Sequence, residues 1–248
     1  MAGDMLHLVI RQKINEGQFE AFKKMALDVT KGVEADEPDT WCYEWYVNED
    51  HTEAFMFETY AKSEAFLLHM SHVHEALRSM PDVAPMVEVL VLGSPNAEVR
   101  DAPAPFKPRF LPLLVGCTRS YNIEEGKKGL APDYFRVVIN QGIDEGKFGL
   151  FKELAEELTA KVVAHDPGML DYEWYPDDDG RDAWVVETYA DSDSLTAHRA
   201  RAWDTKYSIL EVGPLLEALV FGSPNEEARE ELSWIKPKYY SLLAGCRR

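Results

Sequence analysis

His69 and His198 stand 129 residues apart, each nine residues beyond the tyrosine of a Glu-Thr-Tyr-Ala string, Glu58 to Ala61 and Glu187 to Ala190. Imidazole is the side chain that ordinarily titrates near neutrality, so a histidine held in place can carry a proton for a reaction. A histidine at such a point can equally tie a helix to a sheet by a hydrogen bond, and spacing leaves both roles open. Glu58 and Glu187 each end a hydrophobic strand, with Glu44 and Glu173 in the partner strand. A hairpin centred near His51 sets Glu44 opposite Glu58 and Glu173 opposite Glu187. Two carboxylates facing each other on a covered sheet raise one pKa and suit proton transfer. A change of register by one residue dissolves that pairing, and each glutamate then binds a cation or backbone N–H groups instead.

Trp45, Tyr60 and Phe57, with Trp174, Tyr189 and Trp184, are aromatic positions on the same strands. They read as core, or as the wall that a planar aromatic substrate would need. His69, His72 and His74 form an H-x-x-H-x-H string. Only His69 and His72 share a helical face, and the later half has Arg201 and Trp203 in place of the other two, so no metal site is expected. No Ser-His-Asp string, phosphate loop or nucleotide fingerprint is present.

These residues recur because the chain is written twice. Ile14-Asn15-Glu16-Gly17 returns as Ile143-Asp144-Glu145-Gly146, and Tyr43-Glu44-Trp45-Tyr46 as Tyr172-Glu173-Trp174-Tyr175. Gly93-Ser94-Pro95-Asn96 returns as Gly222-Ser223-Pro224-Asn225, and the alignment runs without a gap from Ile14 to Cys117 at the same offset. A period this long marks a duplicated domain rather than a solenoid. The expected division is a first repeat with its arm at 1–118, a polar linker at 119–132, and a second repeat with its arm at 133–248.

Each repeat reads as strand, helix, strand, strand, helix, strand. Leu6 to Gln12 and Phe135 to Asn140 alternate as strands. Helical spacing follows at Phe19, Phe22, Met25 or Ala26, Val29 and Val33, and again at Phe148, Phe151, Leu154 or Ala155, Leu158 and Val162. Trp41 to Val47 and Ala54 to Tyr60 form a hairpin, Ser63 to about Met80 a second helix, and Met86 to Leu92 a fourth strand. The expected class is α+β: two ferredoxin-like βαββαβ repeats, paired within the chain as a dimeric α/β barrel. The arms that end in Leu-Leu-x-Gly-Cys are apolar enough to serve as extra edge strands or as a latch on the other unit.

The 248 residues carry 44 acidic and 26 basic groups, a net charge of −18. Such a surface argues against nucleic acid and anionic membranes as partners. Three cysteines without a C-x-x-C pair make no disulfide or zinc framework, and no signal segment or membrane span is read. A cytoplasmic location is the expectation.

The string E-G-x-F-x-x-F, the proline after helix one, Tyr-Glu-Trp-Tyr, the run from Glu58 to His69 and the closing Gly-Ser-Pro resemble the antibiotic biosynthesis monooxygenase superfamily. The resemblance covers both repeats and implies a tandem member in which the usual two partners are fused, with further homo-oligomerisation left open. It implies an oxidoreductase that uses no cofactor, acting on a small aromatic, phenolic or quinol molecule and oxygen. His69 or His198 would be the base, with Glu58 or Glu187 orienting it or returning the proton. The same fold also serves haem-binding and haem-degrading proteins, and barrels that bind ligands without chemistry; these are the alternatives.

Overall fold

The computed structural model describes residues 5–101, 106–120 and 133–247, the side chains of 202–208 excepted. Most of the expected linker, residues 121–132, lies outside them. In chain order the elements are β1 (Leu6–Lys13), α1 (Phe19–Asp36), β2 (Thr40–Val47), β3 (Glu53–Tyr60), α2 (Ser63–His72), α3 (His74–Val83), β4 (Met86–Gly93), α4 (Ala97–Asp101), β5 (Arg109–Leu111) and β6 (Val115–Thr118). They continue as β7 (Phe135–Gly142), α5 (Phe148–His165), β8 (Met169–Pro176), β9 (Asp182–Tyr189), α6 (Ser192–Val212), β10 (Leu215–Phe221), α7 (Glu226–Leu232) and β11 (Lys238–Arg247). The βαββαβ order expected of each repeat is present.

The chain divides into two compact units, Met1–Leu111 with Tyr240–Arg248, and Pro112–Tyr239. These are not the sequence repeats, because the arms have changed places. In the first unit the sheet order is β4-β1-β3-β2, with β5 parallel on one edge and Ser241–Arg247 antiparallel to β2 on the other. In the second, β10-β7-β9-β8 is extended by β6.

Helix α1 forms because its apolar residues recur every three to four positions, and Phe22, Ala26, Thr30 and Val33 are its buried stripe. It stops at Glu37 because Pro38 follows and disfavours helical backbone in the residue before it. Glu37 sits at φ −121°, ψ 74°, and Asp166 before Pro167 repeats this at φ −115°, ψ 74°. The Gly-Ser-Pro-Asn string is structural. Gly93 and Gly222 have φ of 118° and 119°, and a Cβ would lie 2.8 Å from the Met5 carbonyl oxygen and 2.9 Å from the Phe135 Cβ. The Asn96 and Asn225 N–H groups donate to Ser63 and Ser192 Oγ, fixing this turn to the start of the second helix in each unit.

The second helix differs between the units. In the first unit it breaks at Val73 into α2 and α3, where the sequence reading expected one helix to Met80. The His74 imidazole takes the Ser71 carbonyl at 2.9 Å, an alternative to helical pairing beside the break. Pro81 further interrupts the backbone ladder inside α3. In the second unit α6 runs unbroken and Asp191 caps it by accepting from Ser194 N–H. No described helix is long and apolar enough to cross a membrane.

Candidate functional site

The hairpin register corrects the expected pairing of carboxylates. Tyr43, not Glu44, lies opposite Glu58, and Tyr172, not Glu173, lies opposite Glu187, because the turn sets Val47 against Ala54 and Pro176 against Ala183 and the register runs unbroken from there. Side chains alternate along a strand, so Glu44 and Glu58 point to opposite faces of the sheet. Glu44 accepts from the Tyr46 hydroxyl at 3.0 Å and pairs with Arg247. Glu173 accepts from the Thr118 hydroxyl at 2.6 Å. Phe57 and Trp184 also lie on the face away from the helices, so neither lines a cavity between helices and sheet.

On the helix face of the first unit, Glu58, His69, Tyr43 and Trp45 line one cavity of about 280 Å³. Its remaining wall is almost wholly apolar and includes Met56, Met70, Met80 and Met86, half of the chain's eight methionines. Unbranched thioether side chains adapt their shape to a ligand. Tyr60 stands behind the wall and donates its hydroxyl to Glu58 Oε2 at 2.7 Å.

His69 is oriented by a residue that the sequence reading missed. Glu37, 1 % exposed, accepts from His69 Nδ1 at 3.0 Å, His72 Nδ1 at 3.0 Å and the Thr40 hydroxyl at 2.8 Å. With Nδ1–H committed to a carboxylate, Nε2 carries the lone pair, the arrangement that makes an imidazole a directed base. Burial pushes the Glu37 carboxyl up, yet the bonds from His69, Thr40 and His72 outweigh it and hold it below the ordinary 4.5, as an anion at neutral pH. The available signal was an acidic residue before proline at the same place in both repeats, Glu37 and Asp166.

In the second unit Asp166 holds His198 Nδ1 at 2.9 Å and Arg201 at 2.5 Å. Burial raises the Asp166 carboxyl, but His198 and Arg201 keep it below its ordinary 3.8. His72 is thus replaced by a permanent cation. Glu187, Trp174 and Tyr172 line a cavity of only about 30 Å³, room for about one water. Leu158 stands there where the first unit has Val29, Ile235 where it has Phe106, and Trp234 adds an indole. His198 Nε2 is buried without a hydrogen-bond partner among the described residues. Tyr189 donates to Glu187 at 2.6 Å, as Tyr60 does to Glu58. The second unit keeps the pattern and has filled the space.

Space left among apolar side chains forgoes packing contacts. The second unit shows that the same fold can close it, so the open space in the first is a specific feature. The volume lies near the lower end of small-molecule sites, roughly 300–1,000 Å³.

Two groups in this cavity hold their protons more tightly than usual. Burial raises Glu58 above the ordinary 4.5, against the opposing effects of His69 and the Tyr60 hydrogen bond. Burial, then the charges of Glu58 and Glu37, push Tyr43 well above 10.0. A carboxyl whose folded pKa is raised takes up protons on folding, so its contribution weakens stability as pH rises above the unfolded value. Glu58→Gln should therefore melt above wild type at pH 7, with the gain shrinking toward zero as pH falls below 4.5. Melting curves across that range check it, and a gain that is constant with pH would contradict it.

Residues 134–202 match the family model described as antibiotic biosynthesis monooxygenase. Among curated protein sequences none matches this chain. Two solved structures share the two-unit fold. A candidate monooxygenase of Lactobacillus acidophilus is 14 % identical with a TM-score of 0.58, covering 88 % of this chain and 91 % of its own. Another from Fusobacterium nucleatum is 13 % identical with a TM-score of 0.62, covering 89 % and 91 %. The family match thus lies within the second repeat, and the first repeat carries the same sequence pattern 129 residues earlier.

Proposed function

We propose that the protein is an oxygen-using monooxygenase whose working site is the cavity of the first repeat, with a small fused-ring phenol, quinol or anthrone-like molecule as substrate. The observation that carries this reading is the Glu37–His69 pair at the edge of an otherwise apolar cavity that the second repeat lacks. His69 Nε2 takes the acidic proton of the substrate, and Glu37 stabilises the imidazolium that forms. The Tyr43 hydroxyl is the donor available to the substrate oxygen as it becomes anionic, beside Glu58, whose carboxyl binds its proton more tightly than usual. The electron-rich anion then reacts with dioxygen. One oxygen atom bonds to carbon, the other leaves as water, and a CH₂ or quinol carbon supplies the electrons, so that substrate plus O₂ gives the oxo product plus H₂O. No cofactor enters this scheme.

Aerobic incubation with anthrones, naphthols and naphthoquinols under ¹⁸O₂ tests the reading. The expected result is a product carrying one labelled atom, with one O₂ consumed per turnover. Absence of both product and oxygen uptake across the panel would leave a barrel that binds ligands without chemistry.

A further inference from the structure

We propose that the ligand of the first-repeat cavity carries an oxyanion, such as a carboxylate or phosphate, that seats in a basic groove adjoining the apolar cavity. This rests on the reading of the cavity as the binding site. The groove is formed at the end of β1, the start of β4 and the segment before β5, where Arg11, Lys13, Lys107 and Arg109 gather with Asn48 and Thr52 and outnumber the two carboxylates there, Glu53 and Glu88. Val89 and Phe106 belong to the walls of both groove and cavity, so the two spaces adjoin.

The charges are not spread evenly among these cations. Arg11 pairs with Glu53 at 2.6 Å, and the other Glu53 oxygen takes the Tyr240 hydroxyl. The ammonium groups of Lys13 and Lys107 meet no carboxylate among the described residues. In a chain of net charge −18 such a cluster is unusual. At physiological salt remote acids are screened beyond about 8 Å. With Arg11 engaged by Glu53, and Glu88 beside Arg109 in the lining, the ammonium groups left for an anion in the groove are those of Lys13 and Lys107.

Comparison of the repeats ties groove to cavity. At the offset of 129 residues Arg11 becomes Asn140 and Lys13 becomes Gly142, while Lys107 and Arg109 remain basic as Lys236 and Lys238. Lys238 is engaged by Glu217 at 2.7 Å. The repeat whose cavity is filled has thus also lost the two β1 cations. Two features that disappear together from a copy of the same unit are parts of one site: an apolar bed for a ring system and a cationic seat for its charged substituent.

Two fluorescent probes that share one ring system isolate the charge: 8-anilinonaphthalene-1-sulfonate, and its neutral counterpart N-phenyl-1-naphthylamine. The full chain should bind the sulfonate about tenfold more tightly at low salt, the effect of two screened ion pairs. Lys13→Gln with Lys107→Gln should bring the two affinities together without changing that of the neutral probe, and high salt should do the same. Displacement of the neutral probe by 1-naphthoate and by 1-naphthyl phosphate then tells a carboxylate seat from a phosphate seat. Equal affinities in the wild type, or a preference that survives the double variant, would overturn the anion seat and leave the cavity standing. Failure of both probes to bind would overturn the seat and the cavity reading together.

Discussion

Glu37→Ala is expected to cost the chain about 3–5 kcal/mol in urea or thermal unfolding at neutral pH. The carboxylate is nearly inaccessible and accepts from His69, His72 and Thr40 at once, so its removal strands two buried donors beside a half-exposed imidazole. The sign with pH follows from its lowered pKa. A carboxylate that is more acidic in the folded state stabilises fully above its unfolded value, ordinarily 4.5, and loses that contribution as pH falls through the folded value. The deficit of the variant should therefore persist down to pH 4.5 and vanish only in stronger acid, where wild type loses the same interaction. Asp166→Ala should behave alike in stability, since it strands His198 and Arg201. The two variants part in turnover, where only the loss of Glu37 frees the imidazole that faces an open cavity.

His69→Ala should lower the rate of oxygen uptake by about 10²–10⁴-fold, the range of a positioned general base. At 1.36 kcal/mol per tenfold this is roughly 3–5 kcal/mol of transition-state stabilisation. His198→Ala should leave the rate near that of wild type, because the second cavity of about 30 Å³ holds no substrate. Imidazole added to His69→Ala should restore part of the rate at pH values where it is unprotonated. Rescue of that kind separates a base from a residue that merely ties α2 to the sheet. Equal losses in the two histidine variants would contradict the assignment to one repeat.

Much of this was readable in the residues. The offset of 129 fixed the duplication, and alternation and helical spacing placed the elements, because each repeat has to bury one face of every helix and strand. His69, Glu58 and Trp45 do share a cavity. What the residues did not reveal follows from geometry that no pattern encodes. The pairing of Tyr43 rather than Glu44 with Glu58 depends on the turn, which sets Val47 against Ala54, one residue away from a hairpin centred on His51. The partner of His69 lies 32 residues away, brought in by the turn that Pro38 forces, and only its acidic character in both repeats marked it. The exchange of arms was one of two roles that the apolar Leu-Leu-x-Gly-Cys ends allowed, a latch on the other unit, and the pairing of β11 with β2 and of β6 with β8 decides for it. The difference between the cavities rests on small changes in volume, Val29 against Leu158 and Phe106 against Ile235, together with a helix that breaks at Val73.

The claim at the centre of this account is that one chain holds one usable cavity. Titration of the chain with N-phenyl-1-naphthylamine, followed by fluorescence and by calorimetry, tests it directly. The account predicts a single bound molecule per chain, and its loss in Val29→Trp, where an indole grows into the space with the melting temperature kept. Two bound molecules per chain, or one that survives Val29→Trp, would contradict it.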